Sequence, residues 1–296
     1  MTALQWSTLS PPCTGDADVC ALAGASFELA GETGEAQALT TTFRLAGINL
    51  DAYKQIPKDR IRQLLRQAQA GSEYDLPHDD GFIGTTFFQG GGQAITTRIS
   101  GLNPTNPQDL TTAEILGRKQ AYEYYRFYRD NVPGFQHSTL VAFSTQIGVR
   151  EGRRVFGEYR LELSDVMEAR KFSDVIAQSG SPVEEQGGLG VKWTHILNDG
   201  VYDIPLRCLI PRDLINVLVA GRCLSASYHA HASCRLLAQC MAMGEAAGTA
   251  AALCLEHGHN VRDLDVNKLQ SVLIANGAIL HDAQHCPGGG VGRLGH

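Results

Sequence analysis

Missing from this chain is any cysteine pair spaced C-x-x-C, although cysteines stand at positions 13, 20, 208, 223, 234, 240, 254 and 286. That omission removes the zinc ribbon, the thioredoxin-like pair and the ferredoxin-type cluster loop, so an iron–sulfur cluster is not expected. Most of these cysteines lie in apolar stretches, where a free thiol behaves as a small hydrophobe, and this points to a reducing, cytoplasmic compartment. Also missing is a run of Lys and Arg interleaved with aromatics. With a formal net charge of -6 and a pI near 5.9, the chain carries no nucleic-acid footprint, and its partners are expected to be small molecules. The start, MTALQWSTLSPPC, lacks the basic opening and long apolar region of a secretory signal. A membrane span is imitated only at 236–255, where Gln239 and Glu245 interrupt and Ala and Gly replace the Leu, Ile and Phe that lipid favours. The expectation there is a buried helix of a soluble protein, with Gly244-x-x-x-Gly248 serving close packing.

Two apparent motifs fail on context. Gly290-x-Gly292-x-x-Gly295 has no strand before it and no helix after it, so it is not a dinucleotide fingerprint. His281, His285 and Cys286 share the same glycine-rich tail and are not taken as a metal site.

At 296 residues the chain can bury a full core as one large or two medium domains. Its centre is 216–252. A buried strand at 215–220 breaks at Gly221-Arg222, the loop SYHAHASC follows, and a helix of small and apolar residues starts near Leu236. Glycine at a strand end lets backbone approach a ligand, and a helix N-terminus offers free N–H groups and partial positive charge. Taken alone, the same pattern is equally the packing turn of many α/β domains.

Upstream, Asp16 or Asp18 can cap a helix over 19–25. Residues 26–48 are strand-like, 58–70 form an amphipathic helix, and 82–88 with 94–99 form a hairpin around Gly90-Gly91-Gly92. Thr111-x-x-Glu114 is a capping box for a long helix ending near Asn131, with Tyr122, Tyr125, Phe127 and Tyr128 as a core or interface stripe. Strands are expected at 139–146, 155–163 and 202–210, with 178–200 loop-rich and a last helix capped by Asp265. Arg150, Arg153 and Arg154 at a strand-loop-strand corner could clamp an anion, but spacing alone favours a solvated loop. His229 and His231 are candidate acid–base groups or ordinary loop histidines.

Three collinear stretches carry a resemblance. Thr14-Gly15-Asp16-Ala17-Asp18, then IGVREGRRVFGEYRL, then YDIPLRCLIP through NVLVAGRCLSAS to MAMGEAAGTAAA resemble the C-terminal two-thirds of the FAD-dependent oxidoreductase family. These are flavoproteins of the glutathione-reductase-type two-part fold, with heterodisulfide-reductase-A-like and fumarate-reductase-like proteins as wider relatives. The resemblance implies a mixed α/β fold: a partial FAD-binding Rossmann-like domain lacking its N-terminal βαβ unit, with an inserted substrate domain of mixed sheet and helices. The implied boundaries are 1–25 for a remnant of the FAD domain, 26–200 for the substrate or cap domain, 201–280 for the closing FAD segment and 281–296 for a tail. FAD is the implied cofactor, touching Thr14, Gly15, Asp16, Gly221, Arg222, Cys240, Met241 and Ala242, with N–H groups near Cys240 to Ala242 facing the reduced ring. Arg150 and Arg235 are the candidates for holding an anionic substrate group, and Tyr228, His229 and His231 for moving a proton. The chain departs from the family pattern in carrying no strand-Gly-x-Gly-x-x-Gly-helix unit, and in Gly152, where the family usually carries Thr. A chain that needs a partner subunit bearing the nucleotide-binding half, or a truncated chain without activity, is the alternative expectation.

Overall fold

The computed structural model describes residues 15–32, 36–71, 73–187 and 190–280. Cys13, Thr14, His281, His285, Cys286 and the glycines at 290–295 lie outside the described residues. The chain begins with α1 (Asp18–Leu22), β1 (Phe27–Leu29), β2 (Phe43–Ala46), α2 (Leu50–Lys54), α3 (Lys58–Ala70), β3 (Ile83–Thr85) and β4 (Gly92–Ala94). It continues through α4 (Pro107–Asn131), β5 (Thr139–Phe143), β6 (Arg153–Val155), α5 (Leu163–Met167), β7 (Val175–Ser179), β8 (Val183–Gly187), β9 (Gly190–Thr194) and β10 (Tyr202–Pro205). It closes with α6 (Tyr228–Cys234), α7 (Leu237–His257) and α8 (Val266–Ala275).

Two main cores result. The first lies under a four-stranded antiparallel sheet in the order β3-β4-β2-β5. Phe43, Leu45 and Ile83 of that sheet pack against Ile61 and Leu65 of α3 and Tyr124, Phe127 and Tyr128 of α4. Ile61 and Leu65 are one helical turn apart, so they present a single apolar face to the sheet. The second core gathers the β7–β10 pair with α5, α6, α7 and α8 around Ile176, Tyr202, Ile204, Ala246, Ala250 and Leu269. β7, from the range expected to belong to the cap, thus shares a core with α7 and α8. A small third cluster, Ala17, Cys20, Val155, Val219 and Cys223, ties α1 to the Gly221 region.

Local chemistry explains where sequence and structure agree and where they part. Asp265 caps α8 by accepting from the N–H groups of Asn267 and Lys268, as its side chain suggests. The long helix opens at Pro107 rather than Thr111, because Asn106 accepts from the Gln108 N–H and Pro occupies the first turn, where its missing donor costs nothing. Thr111 instead returns its hydroxyl to the Pro107 carbonyl. α1 is capped by neither Asp16 nor Asp18: its N-cap is Ala17, in the left-handed region at φ 56. The hairpin strands are three residues each, and the second is displaced: β4 spans Gly92–Ala94, taking in Gly92 of the expected turn, while 95–99 form no strand. The 178–200 stretch is not loop but the hairpin β8–β9, with Val183 opposite Thr194. Its adjacent glutamates obscured the strand signal. The strand expected at 155–163 is met only at Val155, the last residue of β6; Gly157 instead makes an isolated bridge to Pro211, packed so closely that a Cβ there would lie 2.8 Å from the Ser225 Cβ. A reciprocal Glu162–Asp165 cap then starts α5. Likewise, strand 202–210 gives way after Pro205 to a 3-10 turn over Leu206–Leu209.

The largest differences concern the centre. Among the described residues, 215–220 form no strand beyond a single bridge position at Val217: Asn216 adopts φ 56, and Leu218 and Val219 are buried, with the Val219 N–H bonded to the Leu209 carbonyl at 2.8 Å. All strand ladders among the described residues are antiparallel, so no parallel Rossmann sheet flanks Gly221 there. The SYHAHASC stretch is helix, not loop, and α6 meets α7 at 90°. Gly244 and Gly248 have no atom within 4 Å of an added Cβ, so among the described residues their close-packing role is not realised. Among the described residues, no single helix is long and apolar enough to cross a membrane.

Helix α4 approaches the segment before β2 closely at Gly117, where a Cβ would collide with the Thr41 hydroxyl and come within 2.9 Å of its Cβ. Thr41 is pinned, donating its N–H to the Thr97 Oγ1 at 2.7 Å and accepting that hydroxyl on its carbonyl at 2.9 Å. Gly117→Ala is expected to lose about 1–2 kcal/mol, overpacking outweighing the roughly 1 kcal/mol of helix propensity that Ala adds. Urea unfolding measures it, and a variant as stable as the parent would show that Thr41 is free to move.

Candidate functional site

Gly15 and Asp16 come from the turn before α1, and Gly221 and Arg222 from the bend after the extended 217–220 segment. The structure brings them into contact. Arg222 Nη1 reaches Asp16 Oδ1 at 3.1 Å, and a Cβ at Gly15 would collide with the same guanidinium. Gly152 completes the junction, since a Cβ there would strike the Asp16 carboxylate. The Gly at 152 is therefore a steric requirement of where Asp16 sits. Arg153 adds a donor at 2.9 Å to the Asp16 carbonyl and pairs with Asp18 at 2.6 Å.

Gly221 takes φ +83, a region that favours glycine, and backs onto Cys240 of α7, whose Sγ lies 3.7 Å from an added Cβ. Cys240 in turn directs its thiol to the Arg235 carbonyl at 3.3 Å. Gly15, Asp16, Gly221, Arg222, Cys240 and Arg235 are thus linked contact by contact. Met241 is on the exposed face of α7 and Ala242 is half-buried against the second core. The Cys240 N–H is already bonded to the Leu236 carbonyl at 2.9 Å. The donors left over at this helix end are consequently those of the first turn, 237–239, rather than those of Cys240 to Ala242.

His231 lies on α6, fully buried, with its Nε2–H donating to the Arg222 carbonyl at 2.8 Å. Burial first, and then the charges of Arg154 and Arg235, hold it well below the usual histidine range, so it stays neutral and fixes the bend. His229 is half-exposed and donates Nδ1–H to Glu185 at 2.8 Å. Tyr228 packs edge-on to its ring at 5.1 Å.

The arginine corner is not a solvated loop. Arg154 is buried and paired with Glu28 at 2.7 Å and with Glu151, while Arg150 gives Nη1 to the Ala38 carbonyl at 2.7 Å and to the Thr40 hydroxyl. The Arg150 guanidinium is pushed down to about 9 by burial and by the like charges of Arg235 and Arg98. It remains positive at neutral pH, poorly compensated. Arg235 reaches the Glu184 carbonyl at 3.3 Å and Gln37 Oε1 at 3.4 Å. Arg98, Gln37, Glu184 and Gln186 were not singled out from sequence. A lone Arg inside the strand-like AITTRIS was the one available signal.

Burial pushes the Cys223 and Cys234 thiols up to about 12, so neither supplies a thiolate at neutral pH. Among the described residues no group of three or more His, Cys, Asp or Glu could hold a metal ion. A 750 Å³ cleft lies elsewhere, over the four-stranded sheet between Phe87, Phe88, Ile95 and Val141.

A family model for FAD dependent oxidoreductases matches residues 12–273. The chain belongs to this family. No curated protein and no solved structure matches it. For an FAD dependent oxidoreductase, the residues at the junction suit the flavin end of the cofactor. Gly221 leaves its backbone partly open, the first turn of α7 offers N–H donors, and among the described residues the buried Arg235 Nε and Gln37 Nε2 have no partner. The described residues hold no strand-Gly-x-Gly-x-x-Gly-helix unit for the ADP end.

His231 and the buried His78 both have lowered values, His78 through burial and then the Arg98 charge. An unfolded chain takes up those protons near pH 6.5 whereas the folded one does not, so stability is full above pH 6.5 and falls as pH drops below it. Each histidine contributes a slope of about 1.4 kcal/mol per pH unit in that window. In unfolding titrations from pH 7 to 5, His231→Gln is expected to reduce the slope by up to one proton; an unchanged slope would show that His231 is protonated in the fold.

Proposed function

We propose that this chain transfers a hydride between FAD and a small anionic organic substrate. The carrying observation is that Gly15-Asp16 and Gly221-Arg222, far apart in sequence, are fastened at 3.1 Å next to two undercompensated arginines, within a chain of the FAD dependent oxidoreductase family. When bound, FAD supplies the ring nitrogen that accepts or returns the hydride. Gly15, Gly221, Arg222 and the first-turn N–H groups of α7 hold the flavin end, and the positive end of the helix dipole favours negative charge there. Arg150 and Arg235 bind and orient the anionic group of the substrate. His229 exchanges a proton at Nε2, with Glu185 on Nδ1 fixing the tautomer. His231 lies out of reach of solvent and positions Arg222.

A second reading, that a partner subunit supplies the nucleotide-binding half, is supported by one feature. Leu237, Met241 and Leu255 are exposed on α7 beside the open Gly244 and Gly248, a face that closer packing would cover.

Incubation with FAD followed by gel filtration tests the first reading: the folded chain is expected to elute yellow by itself. A folded but colourless chain that becomes yellow only with a second protein would favour the partner. Arg150→Gln is expected to retain flavin and to raise KM for an anionic substrate by about 10- to 100-fold, the loss of one charged hydrogen-bonding partner. An unchanged KM would remove Arg150 from substrate binding.

A further inference from the structure

Arg98 reaches the same place as Arg150 and Arg235 from the other side of the molecule. It follows β4, is 7% exposed, and donates Nη1 to Gln186 Oε1 at 3.0 Å. Gln186 N–H donates to Gln37 Oε1 at 2.9 Å, and that same oxygen takes Arg235 Nη2 at 3.4 Å. Residue 38, whose carbonyl accepts Arg150, gives its N–H to the Gln186 carbonyl at 2.9 Å. One short backbone pairing, 37–38 against 186, thus gathers three guanidiniums.

The charge around them is not balanced. Glu184 is the carboxylate that acts on all three arginines, and Gln186 Nε2 already shares it. Asp80, which also faces Arg98, is paired with Arg62 at 3.5 Å. Glu185 is taken by His229 and Lys192, while Glu28 and Glu151 are engaged with Arg154, and Glu28 also with Arg160. Arg222, which repels Arg235, has Asp16 as its partner. Among the described residues, the buried Nε atoms of Arg98 and Arg235 and the Nε2 of Gln37 are left without a hydrogen-bond partner. Buried ionised groups in proteins are normally paired, and unmade donors of this kind are filled by what enters the site.

We infer that Arg98, Arg150 and Arg235 form one site for a small dianion, with Arg98 as the residue that selects a doubly over a singly charged ligand. Guanidiniums recognise carboxylate and phosphate oxygens alike through paired N–H donors, so the shared chemistry is two negative charges carried on oxygen. Among the described residues, two of the three positive charges have no carboxylate of their own, which matches the charge of such a ligand. This names the substrate class for the reading above and rests on it only for the ligand being the hydride donor or acceptor. Binding itself needs no flavin.

Thermal unfolding of the full chain with succinate, inorganic phosphate at pH 8, or acetate, at matched ionic strength, tests the site. A dianion is expected to raise Tm at millimolar concentration, and acetate to leave it unchanged. A rise with succinate alone places the two charges on separated groups; a rise with phosphate alone places them on one. Arg98→Gln is expected to weaken dianion binding by at least about tenfold and to narrow the gap between dianion and monoanion, while Arg98→Lys keeps part of it. The inference is overturned if neither dianion shifts Tm, if acetate shifts it equally, or if a folded Arg98→Gln binds the dianion as the parent does. The parent-chain comparison decides the matter where Arg98→Gln does not fold. Dianion binding by a chain that stays colourless with FAD would keep this site and discard flavin binding by the chain on its own; a yellow chain blind to dianions would keep the flavin reading and discard this site.

Discussion

A guanidinium taken out of water needs oxygen partners, and this fold is arranged around where its arginines find them. Arg154 is the compensated case, held between Glu28 and Glu151 with all three buried. Removing one member of such a group leaves a stranded charge, typically a loss of about 3–5 kcal/mol. The group pins β1 to β6 and the 151 corner, and from that corner Arg150 and Arg153 diverge. Arg153 turns to the Asp16 turn, Arg150 to the 38–40 segment. One short sequence, Arg150 to Arg154, therefore supplies a structural clamp, a tether and a poorly compensated charge.

The junction of Gly15-Asp16 with Gly221-Arg222 follows the same logic at the surface of the second core. Arg222 is held at its side chain by Asp16 and at its carbonyl by His231. The bend thus has two anchors from different elements, and the neutral state of His231 is what allows a buried ring beside several arginines. Glu184 and Glu185, neighbours on β8, face opposite ways as alternate strand residues do. One meets the arginine cluster, and the other meets His229 and Lys192.

Much of this was legible in the residues. α3, the span of α4 to Asn131 and the Asp265 cap follow from spacing and cap chemistry, and the three collinear stretches fall within the residues that the family model matches. What could not be read were contacts set by tertiary placement. The 215–220 stretch has strand composition, yet Asn216 turns to positive φ and the Val219 N–H bonds to Leu209 of a 3-10 turn. SYHAHASC has no helical period, but packing buries its Ala230, His231, Ala232, Ser233 and Cys234. Arg98 and Gln37 join the arginine cluster through hydrogen bonds spanning 88 and 198 positions, beyond any local pattern.

Gly152 shows what such placement does to the freedom of a sequence to change. The Asp16 carboxylate occupies the volume that any side chain at 152 would need, so positions 136 residues apart are epistatic. A side chain at 152 requires the Asp16 carboxylate to swing out of that volume, and in doing so it disturbs the contact with Arg222. Change at this corner is consequently coupled: a side chain at 152 and the Asp16–Arg222 contact draw on the same space.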